Sequence, residues 1–484
     1  MAKVLRRWFF KKLGMTFLTL SFWQDLFFPF GRKEGETAQV YFTTGFKVSE
    51  VSETQATLWT RLCAQEKANP ITHQRREQVF RHPIDFDEDQ PVELMDGGVK
   101  AGAGWVKFRI FNQGEEHITE WLEVVEHNDY TVKWTFVDLS PNTEYQVELA
   151  ARCTPSDPVS TEQGRFRTAP DPDQIKPVLM TTSTCQYFWS FDDDVRGFHT
   201  YDSMRNLKPD FFVQTGDYIY YDKPGPLAKN LEQARHKWHA MDAWSSIRDL
   251  YKLTPVFMIK DDHDLLKDDV YPGASPYGNL TFEDGLRVWR ENAPVTGRPF
   301  RSLRWGKDLE LWLMEGREFR TPNGEKDGPQ KSIWGEEQKA WFKSTVEASD
   351  ATFKLLISAT PIVGPDRENK KDNHANQVFA TEGRWLRRYL SAQKNLFVVN
   401  GDRHWQYVSQ DMETGLIEFG SGPVSDFHAQ GWKADDLRPE HRFLRLKGGF
   451  LSVSVNRQAD QAYIIFSHHQ VNGDLVHRER FNAV

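Results

Sequence analysis

Apolar and polar positions follow two different rules along this chain. From about residue 38 to 167 they alternate in short runs with turn residues between them, as at 56–62, 105–110 and 130–136. Alternation with a period of two marks strands with one face buried, and regular spacing of such strands predicts a β-sandwich. Tyr145, Val147, Leu149, Ala151 and Cys153 then share one strand face. After the Pro- and Asp-rich stretch 168–173 the apolar runs become continuous, at 177–180, 211–213, 255–259, 309–314, 353–357 and 396–399. Continuous runs predict strands buried on both faces. Helical spacing appears between them at 334–348 and 383–390, which makes this part an α/β sandwich. The chain returns to strands at 450–455, 462–466 and 475–480, with Asn472-Gly473 as a hairpin turn. No internal repeat or low-complexity segment interrupts the pattern.

Length and composition refine this picture. A chain of 484 residues exceeds what one core usually holds, so two domains are expected. Hydrophobic residues at 39% and charged residues at 27% exclude a disordered chain. The net charge of −8 argues against a stable nucleic-acid partner, because the chain as a whole repels a phosphate backbone. Cys63, Cys153 and Cys185 are too few for a disulfide scaffold and lack the paired spacing of a structural zinc site. Cys63 and Cys153 fall on strands that can face each other in the sandwich, so either a disulfide or two separate buried thiols is compatible with the pattern.

The N-terminus differs from the rest. Arg6-Arg7, Phe9 and Lys11 precede an apolar stretch at 13–23, in the manner of a twin-arginine export signal. Gln24 and Asp25 interrupt the stretch and no small-residue cleavage site follows, so an amphipathic surface helix is the competing reading. No run reaches the roughly 20 apolar residues that span a bilayer. The expectation is a periplasmic or secreted protein delivered by twin-arginine export machinery, with no transmembrane span in the mature chain.

The chemistry lies at the strand ends. Cys185 follows the first continuous strand; Gly216-Asp217-Tyr218-Ile219-Tyr220 follows the second. Asp261-Asp262-His263-Asp264 follows the third, and Gly401-Asp402-Arg403-His404 follows the strand at 396–399. Ligands bind at the C-terminal ends of strands in α/β sheets. Charged residues directly after apolar strands have little packing reason to be there. Carboxylate, imidazole, thiolate and phenolate together suit a trivalent metal beside a divalent one. Clustered aspartates alone would repel each other, and a bound cation removes that cost.

These motifs resemble those of calcineurin-like metallophosphoesterases, and their departures from the general pattern resemble the alkaline phosphatase D (PhoD-like) branch. Cys185 stands at the first motif, Tyr220 replaces the second Asp of G-D-x-x-D, Asp261-Asp262-His263-Asp264 replaces G-N-H-D, and Asp402-x-His404 replaces H-x-H. Residues 139–149 are similar to the L-x-P-x-T-x-Y-x-V corner of a fibronectin type III domain. The resemblance implies a signal and linker at 1–37 and a fibronectin III-like sandwich at 38–170. It implies a four-layer αββα metallophosphoesterase domain at 174–484. It further implies Fe3+ held by Cys185, Asp217, Tyr220 and His404, and Ca2+ served by Asp217, Asp262 and Asp402. Zn2+, Mn2+ or another divalent metal is the alternative. The substrate would be a small phosphate mono- or diester, attacked at phosphorus by metal-activated water or oxo. His263 would donate a proton to the leaving group, and Arg317, with Arg320 or Arg403 behind it, would clamp phosphate oxygens. Met314-Glu315-Gly316-Arg317 resembles the family's L-D-x-R element with Glu in place of Asp, and Lys267-Asp268-Asp269 stands where the family has an Asn run. Another oxyanion ester, or a non-catalytic surface protein with a relic site, are the competing readings. Asp261 and Asp264 read as outer partners or caps. His199, His374 and His428 read as solvated, Lys370-Lys371 as surface, and Trp238 and Trp244 as part of a cleft mouth formed by 221–245 and 364–381.

Overall fold

The computed structural model describes residues 39–74 and 86–484. The export-signal reading at 1–37 therefore lies outside the described residues. Among the described residues no helix is long and apolar enough to cross a membrane.

The alternating runs do form a β-sandwich. One sheet joins Phe46–Ser49, Ala56–Arg61 and Thr131–Phe136; the other is built on Gly104–Phe111, Glu144–Arg152 and Ser160–Arg167, with two short strands along its edge. In Glu144–Arg152 the even spacing places Tyr145, Val147, Leu149 and Ala151 inside, as the period of two requires. The Tyr145 hydroxyl accepts the Ser140 N–H at 2.9 Å and pins the strand entry. Cys63 is buried with a free thiol and Cys153 is half-buried, so the Cys63–Cys153 disulfide is not realised.

From Val178 onward two sheets stack face to face. The first runs Val256–Ile259, Phe211–Thr215, Val178–Ser183, Phe450–Gln458, Gln461–His469, Leu475–Asn482. Its first three strands are parallel and the remaining pairs antiparallel. The second, seven-stranded, has Leu309–Leu313, Phe353–Ser358 and Leu396–Asn400 as parallel neighbours near its centre. Each strand divides its apolar residues between two layers. Phe211 and Val213 join the core between the sheets, while Phe212 faces helices. Leu355 and Ile357 likewise face inward, while Leu356 packs outward with Phe342 and Leu386 of helices Gly335–Ala348 and Ala380–Ser391. Continuous apolar strands thus produce a helix–sheet–sheet–helix stack of four layers.

The sandwich and the stack form one compact unit from Gln39 to Val484. Lys47 crosses between them, donating to Asp242 Oδ2 at 2.6 Å and to the Asn292 carbonyl at 3.1 Å under the Trp59 ring. The segment expected to shape the cleft mouth at 221–245 is instead largely helical, at Leu231–Asp242 and from Ser245. Trp238 and Trp244 are buried structural side chains, not cleft residues. The Trp238 indole donates to the Tyr221 hydroxyl at 2.9 Å and its ring packs on Tyr218 and Trp289, while Trp244 stacks on Phe188.

Candidate metal centre

Both stacked sheets end in the same place. Cys185, Asp217 and Asp262 follow parallel strands of the first sheet; Asp402 and His404 follow Leu396–Asn400 of the second. The sheets approach closely there. A Cβ on Gly401 would lie 2.2 Å from the Thr215 carbonyl oxygen, so no other residue fits without displacing backbone. Thr184 ties the turns together: its hydroxyl donates to the Gly216 carbonyl at 3.1 Å and accepts the Asp402 N–H at 3.2 Å. Cys185, Asp217 and Asp402 all hold left-handed backbone, with φ of 50°, 56° and 62°. Such conformations cost non-glycine residues roughly 1–3 kcal/mol each and persist where the surroundings enforce them, commonly at functional sites.

The side chains converge. Cys185 Sγ lies 3.4 Å from Asp217 Oδ2, the Tyr220 hydroxyl is 3.0 Å from the same oxygen, and it is 3.2 Å from His404 Nε2. Three ligand sets share Asp217: Cys185 with His404, Asp262 with His263, and Asp261 with Asp402. In each set one donor atom from each residue lies within 4.8 Å of the others. The six residues expected as ligands are therefore gathered in one place. Asp261, read from sequence as an outer partner, joins a ligand set, while Asp264 is an outer partner. Its carboxylate accepts the backbone N–H groups of Asp217, Tyr218 and Asp261 at 2.8 Å each.

The electrostatics call for a cation. Burial, with the charges of Asp217 and Asp402, pushes the Cys185 thiol well up, and burial with Asp217 does the same to Tyr220. Burial lifts Asp217 far above the carboxylate range and lifts Asp261 and Asp402 to about 7, Arg317 and Arg403 opposing the last two. Asp217 Oδ1 and Asp261 Oδ2 are buried with no hydrogen-bond partner among the described residues. Left alone, this set holds protons; metal ligands must release them. His404 is held neutral, well below the usual imidazole range, first by burial and then by His428 and Arg367, which suits a ligand. The donor set therefore fits a bound metal pair.

His263 belongs to one ligand set and also has a backing group that sequence reasoning missed. Its Nδ1 lies 2.7 Å from Asp222 Oδ1. Burial disfavours the imidazolium, but Asp222, Asp262 and Asp217 outweigh it and hold His263 well above its ordinary value. Asp222 directly follows the tyrosine cluster, and only its nearness to Asp217 in sequence marked it.

The guanidiniums are placed differently from expectation. Arg317 is wholly buried; it pairs with Asp261 through Nε, and its Nη2 lies 3.5 Å from Asp262 and 3.4 Å from Asp372. It has no surface to offer a phosphate and instead orients carboxylates of the centre. Arg320 donates to the Gly316 and Asp372 carbonyls, and Arg403 pairs with Asp366 and Asp402, so both are equally committed. Glu315 closes a turn by accepting the Arg317 and Glu318 N–H groups.

Three further readings are corrected. His374 is buried, with Nε2 3.0 Å from Glu382. His428 is buried at the centre itself, its Nδ1 accepting the Tyr187 N–H at 3.2 Å and its ring 4.3 Å from that of His404. Lys370 is largely buried beside Asp268 and Asp269 rather than on open surface. His199 is half exposed, as expected.

Solved structures share this architecture. One titled "Structure of PhoD" superposes with a TM-score of 0.69 over 91% of this chain and 90% of its own, at 16% identity. A purple acid phosphatase, PPD1, from yellow lupin (Lupinus luteus) seeds gives 0.62 over 90% of this chain and 73% of its own, at 11% identity. At these identities the likeness establishes the metallophosphoesterase fold and nothing finer. No curated protein sequence matches the chain. Residues 179–442, more than half of the chain, match the sequence model of one family and span every residue expected in the site. The chain belongs to the PhoD-like phosphatase family.

Proposed function

We propose that this chain hydrolyses phosphate mono- or diesters at the Asp217-centred site in a metal-dependent reaction. The observation that carries the proposal is the sharing of Asp217 by three ligand sets drawn from both sheets. Cys185, Asp217, Tyr220 and His404 would hold the trivalent ion, proposed as Fe3+, and Asp217, Asp262 and Asp402 the divalent one, proposed as Ca2+. Bound ions of this kind supply positive charge to phosphoryl oxygens and lower the pKa of water.

The protein's own groups do the remaining work. His263, fixed by Asp222 at Nδ1, would present Nε2 as the proton donor to the leaving alkoxide. Arg317 favours the ionised forms of Asp261 and Asp262 and orients them. His428 packs against the His404 and Tyr220 rings and fixes their orientation. The paired arginines at 6 and 7 support export, so substrate would be met outside the cytoplasm.

Metal analysis and visible absorption of the purified protein test the assignment together. Iron with calcium, and a colour from phenolate bound to ferric iron that bleaches in Tyr220→Phe, is the expected result. A colourless protein carrying zinc or manganese alone would overturn the iron–tyrosinate assignment. Protein that takes up no metal and hydrolyses no phosphoester would overturn the proposal.

A further inference from the structure

Asp262, Asp268 and Asp269 form an acidic trio on the outer side of the centre. One carboxylate oxygen from each lies within 4.8 Å of the other two. Calcium takes oxygen ligands at about 2.3–2.6 Å, so opposite ligands stand up to roughly 5 Å apart, and the trio has that spread. Asp262 is buried, and among the described residues its Oδ1 has no hydrogen bond; the Arg317 guanidinium lies 3.5 Å away as an ion pair. Its Oδ2 accepts the Asp269 N–H at 2.5 Å, which draws the trio together.

A cation from the chain already stands there. Lys370 Nζ is 3.1 Å from Asp268 Oδ1 and 3.0 Å from Asp269 Oδ1. The Lys370 side chain is only 13% exposed although its partner Asp268 is 60% exposed, so the lysine is the more buried member of the pair. The loop carrying Lys370 is anchored on both sides. Asp366 holds Arg403 at 2.6 Å and Asn373 at 2.7 Å, and Asp372 reaches Arg317 at 3.4 Å and receives Arg320 on its carbonyl at 2.6 Å. The lysine is thus delivered to the trio by a fixed backbone.

We propose that the Lys370 ammonium is the resident cation of the Asp262–Asp268–Asp269 trio, keeping a divalent ion out of a place otherwise shaped to bind calcium. The inference rests on the reading of Asp262 as part of the metal centre. The ammonium already satisfies an oxygen of Asp268 and one of Asp269 through hydrogen bonds at 3.1 and 3.0 Å. It cannot share the space with a dication, because the two would repel at close range with little screening.

The test is a count of bound calcium, independent of activity. The full-length wild type and Lys370→Ala, each equilibrated with calcium chloride and freed of unbound ion, are compared by elemental analysis. Lys370→Ala is expected to retain one more calcium per chain than wild type, and Lys370→Ala combined with Asp268→Asn to return to the wild-type number. Lys370→Arg, which keeps the charge, retains the wild-type number. If Lys370→Ala does not fold, Lys370→Met keeps the aliphatic stem and gives the same reading. Equal calcium in wild type and the neutral variant overturns the inference while leaving the phosphoesterase reading intact. A wild type that binds no metal under any loading overturns that reading, and the difference between the two chains still decides the role of Lys370.

Discussion

Asp217 is shared by three ligand sets, and its carboxylate is met by the Cys185 thiol and the Tyr220 hydroxyl at 3.4 and 3.0 Å. Asp217→Asn should therefore empty both metal positions and reduce hydrolysis by more than the roughly 10–100-fold typical of an outer partner. Metal content and kcat/KM measured on the same preparation check this. Asp222 acts through His263 and should behave differently. With Asp222→Asn the metal stays, kcat falls about 10–100-fold, and the alkaline limb of the pH–rate profile moves to lower pH. The sign follows from the ion pair: Asp222 favours the imidazolium, so removing its charge lets His263 lose its proton at lower pH. An unchanged limb would reject His263 as the acid. At this scale the residues that gather at the centre were legible because charge directly after an apolar strand has no packing explanation. The roles of Arg317, His428 and Lys370 were not. Arg317 meets Asp372 55 residues away, and Lys370 meets Asp268 across 102. No local pattern encodes such meetings.

Elements were legible where apolar periodicity set them. The strand ends were less so: Val178–Ser183 runs on through polar Thr181 and Thr182, which pair with neighbouring strands on both sides, and Ser183, which pairs with one. Helix Leu231–Asp242 was hidden by its composition. Its buried face carries His236, Lys237, His239 and Asp242 among its apolar residues, and polar residues on a buried face blur the amphipathic signal. The meeting of elements at Gly401 offers a direct test. Gly401→Ala places a methyl against the Thr215 carbonyl and prises the two sheets apart at their shared ends. Overpacking of this kind costs about 3 kcal/mol or more where the obstacle is backbone, read as a lower urea midpoint with an unchanged m-value. Loss of metal should accompany it, since ligands from the two sheets separate.

For the whole molecule, the site and the rest of the core set opposite pH dependences. In metal-free protein Asp261, Asp264 and Asp402 hold protons up to about pH 7, against an ordinary value of 3.8. Their contribution is present below pH 3.8 and is lost as pH rises to about 7, because the folded state binds more protons in that window. Buried His236, His239 and His468 are depressed to about 3, 4 and 3 from 6.5. Their contribution is present above pH 6.5 and is lost as pH falls toward 4 and then 3. Metal cancels only the first effect. The Tm difference between loaded and stripped protein should therefore widen by about 5 °C or more from pH 5 to pH 7, measured by calorimetry in matched buffers. A constant difference would mean the carboxylates are already ionised without metal.

The two sheets contribute unequal shares of the proposed ligands, and the shares are far apart in sequence: Cys185 to His263 on one side, Asp402 and His404 on the other. A metal held by both works as a rivet across a seam. The sets that include Asp402 or His404 need both plates, so a rivet there sets only after the plates are flush, and motion that parts the seam must first pull it out. Metal affinity thereby becomes a gauge of how closely the two halves sit. Substitutions buried anywhere along that seam, even far from the chemistry, will register first as faster metal release.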